Sequence, residues 1–441
     1  MRHVSLPAIV VGVCALLIGC AAPGQGAENE PGETAAVGAE PTPPAQATAP
    51  PAAEPVTPAP PPEAAPPFDV WLAGLRAEAR GRGVSEATLD AALTGIAPLP
   101  KVLEYDQRQP EFTRTFWDYI GRAVDPSRIA RGQDLLAQHA GLLARAEARF
   151  GVPAHVLVAF WGLETDFGRH FGGFPVVEAL ATLAHDRRRS AFFRQELLLA
   201  LDILERGDIP APRMVGSWAG AMGHFQFLPS TFTRHAVDAD GDGRRDIWGS
   251  LPDAVLSAGN FLGNLGWRAG ELWGREVSLP EGFDYALADG QVEKPLAAWQ
   301  ALGVRRADGR PLPVAEMEAA LLVPAGHQGP AFLVYPNFRV ILDWNRSELY
   351  ALAVGHLSDR LAGRPGLSVE RPADLQPLRP SDIARLQAAL ADLGFDPGPA
   401  DGMLGPRTRG ALRAWQQAHR LPADGYPTRA MIGRIVAEAE A

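Results

Sequence analysis

The 441-residue sequence predicts a mainly α protein with a small β subdomain and a separate C-terminal helical module. Three observations carry this. Apolar residues recur at helical spacing from Phe68 to Leu265, while β-like runs bounded by Gly and Pro are confined to residues 275–335. Beyond a Pro-rich linker, Pro399-Ala400-Asp401-Gly402 recurs as Pro422-Ala423-Asp424-Gly425, each followed by a Thr (Thr408, Thr428) at a helix start. With 46% hydrophobic and 21% charged residues, the chain can bury a large core and a second domain. Its net charge of −10 provides no concentrated basic surface, which argues against a nucleic-acid partner.

Residues 1–20 read as an export signal: Arg2 supplies the positive start, and Ala8 to Ile18 form an apolar run too short to span a bilayer. Leu17-Ile18-Gly19-Cys20 resembles the lipobox of bacterial lipoproteins, in which cleavage before the Cys frees it for acylation. An ordinary signal with an incidental Cys is the alternative. Cys14 lies inside the signal, so the mature protein is expected to have no disulfide and to rely on packing. Residues 21–67 are mostly Pro and Ala, a composition that cannot bury a core and favours an extended, semi-rigid tether.

Residues 68–370 read as the main domain. An amphipathic helix over 68–93 is broken at Gly81-Arg82-Gly83 and restarts at Ser85 and Glu86. Residues 112–120 are aromatic-rich (Phe112, Phe116, Trp117, Tyr119), a pattern that fits core packing, though a Tyr near a sugar site can also stack on a ring. Asp125-Pro126-Ser127 opens a long helix to Phe150. Pro153 then starts a core helix that leaves at Gly168. At about 100° per residue, Leu157, Phe160, Trp161 and Glu164 share one face and Asp166 points the other way. Glu164 thus continues an apolar stripe; lost hydration should raise its pKa, as a general acid near neutral pH requires. A helix-end Glu turned to solvent or paired with Arg is the bland alternative.

Residues 178–205 predict two helical segments separated by a solvated turn at Arg187-Arg188-Arg189. In residues 216–230, three closely spaced glycines permit close backbone approach and present Ser217 and Gln226 in an apolar frame. Another helix is expected over 253–265, strands at 276–279, 320–324 and 332–335, and a final helix reaching Leu361 through the segment Asp343-Trp344-Asn345-Arg346-Ser347.

Trp161-Gly162-Leu163-Glu164-Thr165 together with residues 216–227 resembles the membrane-bound lytic murein transglycosylase B family, bacterial enzymes that cleave peptidoglycan glycan strands. The resemblance runs from about Phe68 to Gly363. It implies a lysozyme-like fold, with Glu164 as the single catalytic acid and Ser217 and Gln226 supporting the reacting sugar. It also implies that Asn345 lines the active site and that Tyr119 contacts substrate. The family has Tyr where this chain has Trp344 and Phe261. Both keep a stacking face but lose a hydroxyl, so the family's hydrogen bonds are not expected from them.

Asp238-Ala239-Asp240-Gly241-Asp242-Gly243-Arg244 has oxygen ligands at positions 1, 3 and 5 and Gly at 6, the start of a calcium loop. Gly249 stands where the usual twelfth-position Glu would be, and the resemblance implies a longer loop closed by Asp253, with one residue inserted between Trp248 and Asp253. The expected ligand set is Asp238, Asp240, Asp242, Arg244 and Asp253, holding a structural Ca2+, and no cofactor is expected for catalysis. Asp246 is a ligand or merely a flanking charge, and a plain Asp/Gly turn is the alternative to the whole site.

Residues 371–379 form a second linker and 380–441 a compact module, in which Asp-Gly turns feeding short helices point to a three-helix bundle. Leu386-Gln387, Leu393-Gly394-Phe395, Asp401-Gly402, Gly405, Thr408, Ala411 and Trp415-Gln416 are similar to peptidoglycan-binding modules of cell-wall hydrolases. The combined resemblance implies a periplasmic lytic transglycosylase, lipid-anchored through Cys20, with the outer membrane as the expected site of anchoring. It would cleave between N-acetylmuramic acid and N-acetylglucosamine and leave 1,6-anhydro ends. Most glycosidases use two carboxylates, whereas the central motif offers one. The alternatives are a hydrolytic muramidase on the same scaffold and a non-catalytic wall-binding lipoprotein.

Overall fold

The computed structural model describes residues 66–107, 115–186, 189–372 and 377–441. The signal segment with Cys20, the tether as far as residue 65, Phe112 and the Arg187-Arg188 pair lie outside the described residues. No helix among the described residues is long and apolar enough to cross a membrane.

Helix starts follow the expected caps. Ser85 accepts the Thr88 N–H ahead of Glu86–Leu93, and Asp125 accepts the N–H groups of Ser127 and Arg128 ahead of Pro126–Gln138. The long helix expected from Asp125 to Phe150 is instead two, Pro126–Gln138 and Ala140–Phe150, joined at His139. The first packs against the central helix Ala154–Thr165, and the second packs on both that helix and Leu251–Asn264.

Residues 156–162 of the central helix are all buried, as are Glu164 and Thr165. The apolar stripe seen in sequence is therefore part of a helix enclosed on every side. It ends on Asp166 in the left-handed region (φ 50°), whose carboxylate is held by Arg131 at 3.0 Å and Arg169 at 3.3 Å.

The β subdomain is a five-stranded antiparallel sheet in the order Asp289–Pro295, Glu318–Leu322, Ala331–Val334, Gly274–Ser278, Arg305–Arg306. Strand alternation divides its residues between two cores. Ala320, Leu322, Phe332 and Val334 face the helical domain, while Ala319, Leu321 and Leu333 pack with Trp299 and Tyr335 in a core of their own.

The module has three helices, Pro380–Asp392, Pro406–Ala418 and Arg429–Ala439, around Leu386, Leu390, Leu412, Trp415, Ile432 and Ile435. Each half-repeat carries the same clamp. Gln387 donates to Asp401 (2.9 Å) and accepts from Gly402 N (2.9 Å); Gln416 donates to Asp424 (2.7 Å) and accepts from Gly425 N (2.8 Å). The second clamp also docks the module: Asp424 accepts the backbone N–H of His327 at 2.8 Å, and its ring Nδ1 lies 2.7 Å away.

Candidate active site

Three pieces converge at the C-terminal end of the central helix: the helix itself, the glycine-rich segment, and the junction between Pro336–Trp344 and Glu348–Leu361. Glu164 is 2% exposed. Burial pushes its pKa up from 4.5 to about 7, opposed in part by hydrogen bonds from Tyr350 and Trp344. No neighbouring charge takes part in this shift among the described residues. Near neutral pH the group is therefore divided between the acid that can give a proton and the base that can take one.

The Trp344 indole N–H donates to Glu164 Oε1 at 2.9 Å, and the Tyr350 hydroxyl donates to the same oxygen. Trp344 was expected to lose its family's hydrogen-bonding role along with the hydroxyl. It instead supplies an N–H, and being 8% exposed it belongs more to the acid's surroundings than to an open sugar platform. Its ring is packed against Phe160 at 4.6 Å and Phe261 at 4.9 Å, with the Phe227 ring at 5.6 Å. Phe261 also stacks with the His235 ring at 4.8 Å.

The glycine-rich segment is pinned to the central helix by two hydrogen bonds. Trp161 Nε1 donates to His224 Nδ1 at 2.9 Å, and the Thr165 hydroxyl donates to the His224 carbonyl at 2.8 Å. Gly223 has φ +68°, and a Cβ there would lie 2.6 Å from the Ile247 carbonyl oxygen, so the close backbone approach requires glycine. Within this turn Ser217 is buried and its oxygen accepts the N–H groups of Ala221 (3.0 Å) and Ala219 (3.3 Å). Gln226 anchors its amide N–H group on the carbonyls of Gly223 (3.0 Å) and Phe171 (3.3 Å). Its Oε1 is buried with no partner among the described residues, an acceptor suited to a sugar hydroxyl or acetamido N–H. Asn345 is buried between the two helices, and its Oδ1 accepts the Ser347 N–H at 3.0 Å. Tyr119 is half-buried in Phe116–Ala123, whose helix packs against Glu348–Leu361.

Tyr350 was missed in sequence. The available signal was a Tyr inside the apolar run Leu349–Val354, because a buried phenol needs a hydrogen-bond partner. His224 was likewise passed over; burial holds its pKa down to about 4, so it stays neutral and can accept the Trp161 N–H.

The acidic loop is assembled in part. Asp238, Asp240 and Asp253 each bring a carboxylate oxygen within 4.8 Å of the others. Asp253 is fully buried and accepts the N–H groups of Ala239 (2.7 Å) and Asp246 (2.8 Å), which aims it into the cluster. Burial, and then the Asp240 charge, raise its pKa, and no cation offsets them among the described residues. Such a like-charged group fits a bound cation. Asp242 stands outside this triad and accepts the Arg244 N–H at 2.8 Å. Asp246 accepts the N–H groups of Trp248 and Gly249, the bonding of a turn.

A family model described as Transglycosylase SLT domain matches residues 67–359, and one described as Putative peptidoglycan binding domain matches 379–435. Membrane-bound lytic murein transglycosylase B of Escherichia coli (strain K12) is 31% identical over 258 residues, covering 55% of this chain and 66% of that protein. Among solved structures, SltB3 from Pseudomonas aeruginosa in complex with NAG-anhNAM-pentapeptide is 49% identical with a TM-score of 0.80, covering 83% of this chain and 99% of that one. The Escherichia coli lytic transglycosylase SLT35 in complex with calcium is 28% identical with a TM-score of 0.57, covering 67% of this chain and 93% of that one.

Proposed function

This chain belongs to the transglycosylase SLT domain family, and from that premise we propose that it is a lytic transglycosylase of peptidoglycan. It cleaves the β-1,4 bond between N-acetylmuramic acid and N-acetylglucosamine and leaves 1,6-anhydro-muramyl ends. The observation that carries the reading is Glu164: an enclosed carboxyl with its pKa raised to about 7 and, among the described residues, no charged neighbour acting on it. It protonates the glycosidic oxygen, then takes the proton of the muramyl C6 hydroxyl as that oxygen attacks C1. A nucleophile already within the substrate needs no second carboxylate to orient water. Ser217, Gln226, Asn345, Tyr119 and Phe261 surround the reacting sugar, directly or through the backbone they hold, and Trp344 acts on the acid through its hydrogen bond to Glu164.

Three further assignments belong to this proposal. A structural Ca2+ sits on Asp238, Asp240 and Asp253, with Asp242 and Arg244 completing the loop. Cys20 carries a lipid that holds the enzyme to the outer membrane, on its periplasmic side. The C-terminal module binds the wall, supported by its own family match.

Mass spectrometry of purified peptidoglycan digested by the protein tests the reaction. The expected products carry anhydro-muramyl ends. Reducing ends would instead identify a hydrolytic muramidase, and intact strands a wall-binding protein without this activity.

A further inference from the structure

The proposed reaction asks Glu164 to give a proton and then take one, and the geometry around it identifies the oxygen that does both; the assignment of that oxygen rests on the proposed reaction. Trp344 Nε1 and the Tyr350 hydroxyl converge on Oε1, and among the described residues nothing donates to Oε2. An indole N–H can donate but never accept, and a carboxyl oxygen offers two lone-pair sites. With both sites filled, Oε1 has no place for a hydrogen. The aim of the indole is itself constrained, since its ring is packed by Phe160 and Phe261.

We infer that Trp344 and Tyr350 are positioning residues that keep Oε1 as the carbonyl oxygen of the Glu164 carboxyl, so that Oε2 carries the catalytic proton. One oxygen then serves both steps. The Oε2 proton passes to the glycosidic oxygen as the C1–O bond breaks, the bonding electrons remaining on the departing oxygen. The C6 hydroxyl then loses its proton to Oε2 as O6 bonds to C1, which restores the acid without rotation of the carboxyl. The family's usual Tyr at the position of Trp344 could either donate or accept. An indole can only donate, so one of the two sites on Oε1 is always held by a donor, and Tyr350 donating fills the other.

From the elements packed around the central helix, Tyr350 is the titratable group facing Glu164, and no Arg, Lys, Asp or Glu charge acts on it among the described residues. Trp344→Phe and Tyr350→Phe each remove one donor and keep a ring. The direct readout is the C=O stretch of protonated Glu164, taken as the infrared difference between each protein and its Glu164→Gln derivative below pH 7. In both variants the band is expected to move to higher wavenumber, because the carbonyl oxygen has lost a hydrogen bond. The basic limb of kcat against pH should rise by about one pH unit, since hydrogen bonds that favour the ionised form are gone. KM should stay within about twofold, the change falling on the acid rather than on sugar binding. A band unmoved in both variants would put the proton on Oε1 and overturn the inference. An unmoved pH limb with a raised KM would make Trp344 a sugar-binding surface and overturn it as well. The infrared measurement needs no turnover, so it separates failure of this inference from failure of the proposed reaction.

Discussion

Glu164 concentrates the chemistry in one group, and its replacement should separate chemistry from folding. Glu164→Gln keeps the side-chain shape and an acceptor for Trp344 and Tyr350 but cannot supply a proton, so cleavage should fall by at least about 10³-fold in a timed digest. Stability should change in the opposite sense. A carboxyl whose pKa rises from 4.5 unfolded to about 7 folded holds its proton more tightly in the native state. Its contribution is fully present below the unfolded value and is lost as pH rises through the folded one. Melting curves from pH 4.5 to 8 should therefore show the Gln variant gaining on the wild type, by about 3 kcal/mol across that window. A constant difference would mean that Glu164 is not held protonated by burial. The same sign governs activity, which should decline above about pH 7 as the acid ionises. This residue was legible in sequence because a carboxylate on an apolar helical face is costly. Its two donors were not, because they come from the segment around residues 344–350 and contact is a matter of tertiary packing.

Elements were legible where punctuation marked them. Ser85, Asp125 and Thr428 cap helices as their residue types suggest. The break at His139 carries no Pro and only Gly141 just beyond it, and the two halves share the central helix but differ in their second partner, Glu348–Leu361 for the first and Leu251–Asn264 for the second. The strand Asp289–Pro295 was missed because its pattern lacks apolar alternation: it is an edge strand with a bulge between Asp289 and Glu293. The acidic loop was read from ligand spacing, and its closure by Asp253 depends on a fold contact that spacing alone does not provide. If the loop holds calcium in the folded state alone, calcium at a hundred times its dissociation constant should stabilise by about 2.7 kcal/mol. Scanning calorimetry should then show a lower melting temperature after chelation and recovery on adding calcium. Asp253→Asn should abolish that response, since it removes the buried charge toward which the other two carboxylates converge. A melting curve of chelator-treated protein that ignores calcium would reduce the loop to a turn.

At the scale of the whole molecule, the linker and the repeated Pro-Ala-Asp-Gly units made a separate module legible, but not how it sits. The two clamps are alike in sequence, yet Asp424 spends its second oxygen on His327 of the β subdomain. No local pattern distinguishes it from Asp401. The module is therefore docked rather than merely tethered, and under the proposed role glycan held on it would be presented at a defined place relative to the catalytic domain. Ending the chain at Leu378 removes the module and keeps Glu164 and its two donors, while taking away Arg409 and Arg413, whose charges act on Glu348 at the start of the Tyr350 helix. Binding to insoluble peptidoglycan should fall by about 10²-fold or more, because a second attachment raises the effective concentration of glycan at the active site. Digestion of intact sacculi should slow accordingly, while cleavage of short soluble fragments, which cannot reach both sites, stays within about twofold. Co-sedimentation with purified sacculi measures the first quantity and product analysis the others, with a melting curve to show that loss of the His327 contact leaves the catalytic domain folded. If the shortened protein sediments as well as the full chain does, the module's part is to brace the β subdomain through Asp424 rather than to hold the wall.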